Sequence, residues 1–333
     1  MISVIIPTRN RAVMLAEALE SLFHQDLDKN EFEVLVIDNG SKDQTTEVLD
    51  QYRDKIINFH TFYESEPGLH VGRHLGLKEA RGEVLVFIDD DIEANKSWLS
   101  SIATAFSDSD VVLAGGNNLP LFIEPPPEWL LKMWRRSNGK SYKAITELSV
   151  IEFDYTSCSE ISPYLVWGCN FAIRKNILLK AGGFHPDGMP KDLLMYRGDG
   201  ETHISRYIAD NRLKCIFIPG ATIKHKVTPE RMSVDYFKRR GFSEGISHSY
   251  TLLRNKGLYK RSGVVDLIRK SLSVVKRLFR EWKLDTEVSR VLAIYRLGFK
   301  EGFNFHQQAY MESNEIRSWV HKATYIEEEP DND

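Results

Sequence analysis

The stretch "EVLVFIDDDIEAN", residues 83–95, sets five apolar residues, Val84 to Ile88, directly before three consecutive carboxylates, Asp89, Asp90 and Asp91. An apolar run of this length, rich in β-branched residues, reads as a strand buried on both faces, as strands of a parallel sheet are. Its carboxyl end then lies at the rim of the sheet, where open α/β folds bind ligands. Adjacent acids repel one another unless a cation or hydrogen-bond donors meet them. They therefore either face water, as a turn and helix cap, or face something positive.

Outward from this stretch the same rhythm repeats. "SVIIP" 3–7, "EVLVID" 33–38, "INFHTFY" 57–63 and "DVVLAGG" 110–116 read as strands, and helical patterns fall near 12–23, 44–53, 71–81 and 96–106. Such alternation predicts an α/β fold with a mainly parallel sheet and flanking helices. "SKDQ", 41–44, reads as a capping box opening the second helix, and Asn10 as the cap of the first. The prolines of "EPPPEWLLKMWRR", 124–136, break the rhythm before a short helix or a loop over a site. "YLVWGCNFAIRKNILLKAGGF", 164–184, restores a strand and a helix ending at Gly182-Gly183, and 198–227 adds another helix and strand. From about residue 230 the pattern is helical. The expected division is a catalytic α/β domain at 1–229, a helical C-terminal region at 230–325 and an acidic flexible tail at 326–333.

The 333 residues are 42% hydrophobic and 27% charged, ordinary globular material with room for an enzyme. The net charge of −3 fits no nucleic-acid partner, although the segment from Arg254 to Lys283 holds ten Lys or Arg against two Asp or Glu. Within it Val264, Ile268, Leu272, Val275, Phe279 and Trp282 share one helical face and Arg269, Lys276, Arg280 and Lys283 another. Such a helix either lies on an anionic membrane or packs with a solvated basic face. Three cysteines, Cys158, Cys169 and Cys215, lack CxxC spacing, so reduced thiols in a cytoplasmic setting are expected and a zinc site is not. No apolar run approaches the ~18 residues of a membrane span, and "MISVIIPTRN" lacks the pattern of a signal peptide. The expected location is cytoplasmic, with peripheral contact at the inner face of the cytoplasmic membrane through 264–283 left open.

Five segments, "SVIIPTRNRAVMLAEALESL", "VLVIDNGSKDQT", "GLHVGRHLGLKEARGEVLVFIDDD", "WGCNFAIRKNILLKAGGF" and "GDGETHISRYI", follow one another in an order and spacing that resembles the inverting family 2 glycosyltransferases of GT-A fold. The resemblance covers roughly residues 2–227. It implies transfer of a sugar from a nucleotide-sugar donor, with a UDP-sugar expected, to a hydroxyl of a glycan or lipid-linked glycan acceptor in surface polysaccharide assembly. Such a donor needs polar base contacts, an acceptor for the ribose hydroxyls and positive charge at the diphosphate.

By resemblance, Pro7, Thr8, Arg9 and Asn10 wrap the base and ribose, and Asp38 approaches the base. Asn39 stands where relatives commonly carry a second acid. Asp89 and Asp91 match the family's DxD pair, directed to the ribose and to Mn²⁺ or Mg²⁺, ions that suit carboxylate and diphosphate oxygens. Asp90 either joins the donor contacts or is structural. Arg73 matches an arginine that approaches the donor, and His74 replaces a common asparagine and carries no implied role. Inversion requires a carboxylate that takes the acceptor proton on the side opposite the leaving group. Matching Ile204 and Ile208 to the helix's apolar positions puts that base at Glu201, with Gly200 in place of the usual first acid and Asp199 the runner-up. His225 falls where a metal-ligating histidine is often found. Trp167, Gly168 and Asn170 match the stretch facing donor sugar and acceptor, and Trp129 and Trp134 read as a stacking floor or as core.

A phosphatase or a sugar nucleotidyltransferase would share an acid cluster, but "IDDDIEAN" lacks a DxDxT nucleophile and "SVIIPTRNR" lacks a glycine-rich triphosphate loop. The alternative is a catalytically silent nucleotide- or glycan-binding protein of the same fold. Oligomeric state is open.

Overall fold

The structure, a computed structural model, describes residues 1–136, 141–256 and 285–326. The basic stretch 264–283, with Arg269, Lys276, Arg280 and Lys283, and all but the first residue of the acidic tail lie outside the described residues.

Strands β1 (Ile2–Thr8), β2 (Phe32–Asp38), β3 (Phe59–Tyr63) and β4 (Val84–Ile88) follow the apolar runs, separated by helices α1 (Ala12–Phe23), α2 (Thr45–Arg53) and α3 (Leu69–Glu79). β5 (Ile92–Ala94) follows β4 directly, and α4 (Trp98–Phe106), β6 (Val111–Gly115), β7 (Asn118–Phe122) and α5 (Glu128–Trp134) come next. The chain continues through β8 (Tyr142–Ile145), β9 (Val150–Phe153), β10 (Ser159–Glu160), β11 (Asn170–Arg174), α6 (Lys175–Lys180), α7 (Thr202–Asp210), β12 (Lys214–Phe217) and β13 (Ile223–Val227). Three long or short helices close it: α8 (Val234–Lys256), α9 (Thr286–Glu312) and α10 (Asn314–Val320).

The larger sheet has the order β10-β12-β6-β11-β4-β1-β2-β3, with β11 antiparallel to both neighbours and β10 antiparallel to β12. The other strands run parallel, because each is returned by a crossover helix. β1 and β4 are fully buried, and alternate residues serve opposite faces. Val4 and Ile6 join Leu15 and Leu19 of α1 and Trp98 of α4, while Ile5 and Phe87 join Leu77 of α3 and Ile204 of α7. Gly72 and Gly76 let α3 lie almost on β1: a Cβ at Gly76 would meet Ile5 Cγ2 at 2.3 Å. That approach carries Arg73 to the carboxyl ends of β1 and β4.

The second sheet, β5-β13-β7-β9-β8, was not foreseen as a sheet. The segment expected to add one helix and one strand supplies two strands, β12 to the first sheet and β13 to the second. β13 pairs antiparallel with β5, so His225 is opposite Ile92 and Lys226 N donates to Asp91 O at 2.9 Å.

Both helix-start expectations are corrected. Ser41 does not cap α2, because its Oγ accepts from Asn10 N at 2.9 Å, and it is Asp43 whose carboxylate accepts from Thr45 N and Ala12 N. Asn10 does not cap α1 either: it sits at φ 54 and its Oδ1 accepts from Lys42 N. The two turns are thus stitched to each other. Gly182 and Gly183, at φ 85 and 77, end α6 as expected, donating to Leu179 O and Leu178 O.

α8 and α9 touch backbone to backbone. A Cβ at Gly241 would lie 2.2 Å from Tyr295 O, at Gly245 2.1 Å from Phe299 O, and at Gly302 1.9 Å from Phe242 O. Trp129 is buried in the cluster beneath these helices, edge-on to Phe237 at 5.2 Å, so it is core and not a stacking floor. Trp134 packs against the same cluster under Lys143, 4.9 Å from its ring.

Candidate active site

The chain passes from β1 to β2 and β3 on one side, then returns to β4 on the other, so the strand order reverses between β1 and β4. A crevice opens at the carboxyl ends of strands at such a switch point. Thr8 ends β1 there, and Asp89, Asp90 and Asp91 follow β4. A cleft of about 530 Å³ occupies this position, lined by Pro7, Thr8, Arg9, Asn39, Arg73, the three acids, Gly168, Glu201 and His225.

The three acids are met by donors. Asp90 accepts from Thr8 Oγ1 at 2.7 Å and from Arg11 Nη1 at 2.9 Å. Burial pushes its carboxyl up to about 6, against the pull of Arg11. Asp91 has Arg11 Nη1 at 3.1 Å, His225 Nε2 at 3.1 Å and Arg231 Nη1 at 3.2 Å. Burial opposes its charge, but His225, Arg231 and Arg11 together hold the carboxyl below the usual carboxylate range. Asp89 is the least buried of the three, with Arg73 Nη2 at 3.7 Å.

One ligand atom each from Asp89, Asp91 and His225 lie within 4.8 Å of one another. Two carboxylates and an imidazole form a donor set that fits Mn²⁺ or Mg²⁺, and His225 Nδ1 has no partner among the described residues. Cys169 also lines the cleft, but burial, with the nearby Asp89 and Asp91 charges, drives its thiol well up, so it stays protonated and is a poor ligand.

Across the cleft Arg73 joins the acids to Glu201: its Nη1 lies 3.6 Å from Glu201 Oε2. The guanidinium is buried over the Phe184 ring at 4.9 Å, and Gly168 leaves it room, since a Cβ there would stand 2.2 Å from Nη2. Glu201 immediately precedes α7 yet makes no cap bond. Its Oε1 accepts from Gly168 N at 3.2 Å. Asp199 lies behind this wall, accepting from His185 Nδ1 at 2.7 Å, Thr251 Oγ1 at 2.6 Å and Arg206 Nη2 at 3.1 Å. Burial opposes its ionisation, but these donors prevail and bring the carboxyl down to about 2.

Of the other expected residues, Asn10, Asp38, Trp167 and Asn170 stand outside the cleft lining. Asp38 Oδ1 accepts from Ser41 N, and Asn10 is part of the same turn. Asn39 lines the cleft while its Nδ2 holds Glu64 O and Glu66 O. Asn170 is fully engaged inside, with Trp98 Nε1, Asn118 Oδ1 and Ala221 O. Trp167 faces a neighbouring recess. Arg11 and Arg231, which sequence reasoning missed, complete the cation side. Arg11 was legible as the second arginine of "TRNR", whereas Arg231 reaches Asp91 only through the fold of the second sheet.

A sequence profile described as "Glycosyl transferase family 2" matches residues 3–181. The chain is 39% identical over 137 residues to the poly(ribitol-phosphate) beta-N-acetylglucosaminyltransferase TarS of Staphylococcus aureus, covering 38% of this chain and 24% of that protein. It is 35% identical over 117 residues to glycosyltransferase AglE of Haloferax volcanii, covering 35% of this chain and 38% of AglE. The matches thus span less than two fifths of either relative. Among solved structures, the mannosyltransferase PcManGT of Pyrobaculum calidifontis, in complex with GDP-Man and Mn2+, superposes with a TM-score of 0.56 at 18% identity over 91% of this chain and 87% of that one. S. aureus TarS 1-349 in complex with UDP-GlcNAc does so with a TM-score of 0.50 at 17% identity over 93% and 91%. The GT-A fold is therefore shared. No helix among the described residues is long and apolar enough to cross a membrane.

Proposed function

Because this chain belongs to glycosyl transferase family 2, we propose that it moves a sugar, with inversion, from a nucleoside-diphosphate sugar to a hydroxyl of a glycan or lipid-linked glycan acceptor of a surface polysaccharide. The observation that carries this reading is one cleft with the Asp89, Asp91 and His225 donor set on one wall and Glu201 on the other, spanned by Arg73. A Mn²⁺ or Mg²⁺ ion held by those three side chains would neutralise the departing diphosphate. Arg11 and Arg231 already bring positive charge to the same wall and orient Asp91.

The acceptor oxygen forms a bond to the anomeric carbon while the bond from that carbon to the diphosphate oxygen breaks, its electron pair leaving with the diphosphate. The acceptor proton passes to Glu201, which Gly168 N and Arg73 hold towards the cleft. Arg73 touches both walls and would feel the charge that leaves one and arrives at the other.

The TarS complex directs the donor search to UDP-sugars first and the PcManGT complex to GDP-mannose next. The test is a thermal-shift panel of nucleotide sugars with and without Mn²⁺, followed by transfer to glycan acceptors, since selective donor binding stabilises the folded state. Stabilisation by none of them refutes the proposal.

A further inference from the structure

Glu201 stands in a wall with a cavity on either side. One is the cleft just described. The other is a recess of about 190 Å³ that shares only Ser149, Glu201 and Arg240 with it. We propose that this recess binds the acceptor, as one neutral, hydroxyl-rich glycosyl residue; the inference rests on the reading of the larger cleft as the donor site.

Position is the first argument. An in-line displacement brings the acceptor to the sugar from the side opposite the diphosphate. With the diphosphate drawn to Arg11, Arg231 and the cation that Asp89, Asp91 and His225 would hold, the open side is beyond Glu201. Size agrees: the recess has room for about six waters, the scale of one pyranose ring.

The lining settles the chemical class. Thr146, Thr202 and Ser205 bring hydroxyls, and Tyr164, Trp167 and Tyr295 bring aromatic rings. Trp167 Nε1 is already given to Tyr164 O at 3.1 Å, which leaves the indole ring as its contribution. Ser205 Oγ already donates to Pro163 O and Thr146 Oγ1 to Glu147 Oε2, which leaves both hydroxyls as acceptors, and hydroxyls beside aromatic rings match a sugar, whose edges hydrogen-bond and whose C–H faces stack. The charge balance excludes an acidic or phosphorylated unit. Glu147, Glu201 and Glu244 line the recess against Arg240, and Arg240 Nη2 is held by Glu244 Oε1 at 2.9 Å. Arg240 and Glu244 come from α8 and Tyr295 from α9, beyond the 3–181 span of the family profile.

The experiment uses ligand-observed saturation transfer on the whole chain loaded with UDP and Mn²⁺. The probes are methyl glycosides of neutral hexoses and, in parallel, hexose 6-phosphates. Thr146→Trp plugs the mouth from an exposed position, and Tyr295→Ala removes a ring; UDP binding by calorimetry and circular dichroism monitor the donor side and the fold. Neutral glycosides are expected to bind the wild type and to lose affinity about tenfold in Thr146→Trp with UDP binding unchanged, while the phosphates bind no variant. Glycoside binding undiminished in both folded variants, tighter binding of the phosphates, or no glycoside binding to a chain that still binds UDP would each overturn the inference and leave the donor reading intact. Failure of any nucleoside diphosphate to bind would overturn the donor reading, and the recess assignment with it.

Discussion

Two carboxylates two residues apart, Asp199 and Glu201, have opposite surroundings and should fail in opposite ways when neutralised. Glu201→Gln keeps the shape, and its amide oxygen can still accept from Gly168 N, so the main folding cost is the charge withdrawn from the buried Arg73 guanidinium at 3.6 Å, which Asp89 still faces. The loss should be confined to the chemical step: a missing general base removes about 10²–10⁴-fold of rate, or about 2.7–5.5 kcal/mol of barrier. Asp199→Asn withdraws a buried charge from Arg206, Thr251 and His185, a change on the order of 2–4 kcal/mol in stability. It should lower Tm by several degrees and leave transfer per folded molecule near wild type. Because the folded carboxyl is depressed to about 2, below the usual value of about 4, its contribution is complete above the unfolded pKa and fades as pH falls from about 4 to about 2. The stability gap between wild type and Asp199→Asn should therefore be flat near neutrality and close in acid. Urea unfolding across pH and single-turnover transfer measure the two effects. A Glu201→Gln protein with wild-type turnover, or an Asp199→Asn protein with intact Tm and no turnover, refutes the assignment of roles.

Asp91→Ala should abolish Mn²⁺-dependent binding of nucleoside diphosphate while the chain stays folded; calorimetry that finds undiminished, metal-independent binding by the variant speaks against the donor wall. Gly168→Ala would set a methyl 2.2 Å from Arg73 Nη2. The guanidinium can swing aside, so Tm should change little and transfer should drop by at least about tenfold, and unchanged kcat would show Arg73 to be a bystander. Gly298→Ala instead meets Lys238 O at 2.2 Å, backbone that cannot yield, and should cost about 1–3 kcal/mol or more by urea melt. Gln in place of Arg269, Lys276, Arg280 and Lys283 should release the chain from anionic vesicles at low salt, each charge being worth about 1 kcal/mol there; equal, negligible sedimentation of both proteins excludes membrane contact.

In the larger sheet β1, β2, β4 and β6 were legible because they are apolar runs of five to seven residues whose burial on both faces is written in composition alone. The second sheet was not, since β5, β8, β9 and β13 are three to five residues long and alternate with turns, so no periodicity accumulates. That gap explains the missed arginine: Arg231 reaches Asp91 only because β13 pairs beside β5. The false capping box had the opposite cause. Ser41 has the right spacing, but Asn10, far away in sequence, competes for its hydroxyl. Glu201 and Asp199 were both visible as helix-start acids, and only packing against Gly168 on one side and His185 on the other separates them.

The glycine contacts between α8 and α9 fix the separation and register of that pair by main chain against main chain. Residues 257–284, which join the two helices in sequence, are therefore not needed to set their alignment. The pairing of the two helices would therefore withstand changes in the sequence that joins them. Arg240, Glu244 and Tyr295, held on the paired rods, would keep their spacing throughout.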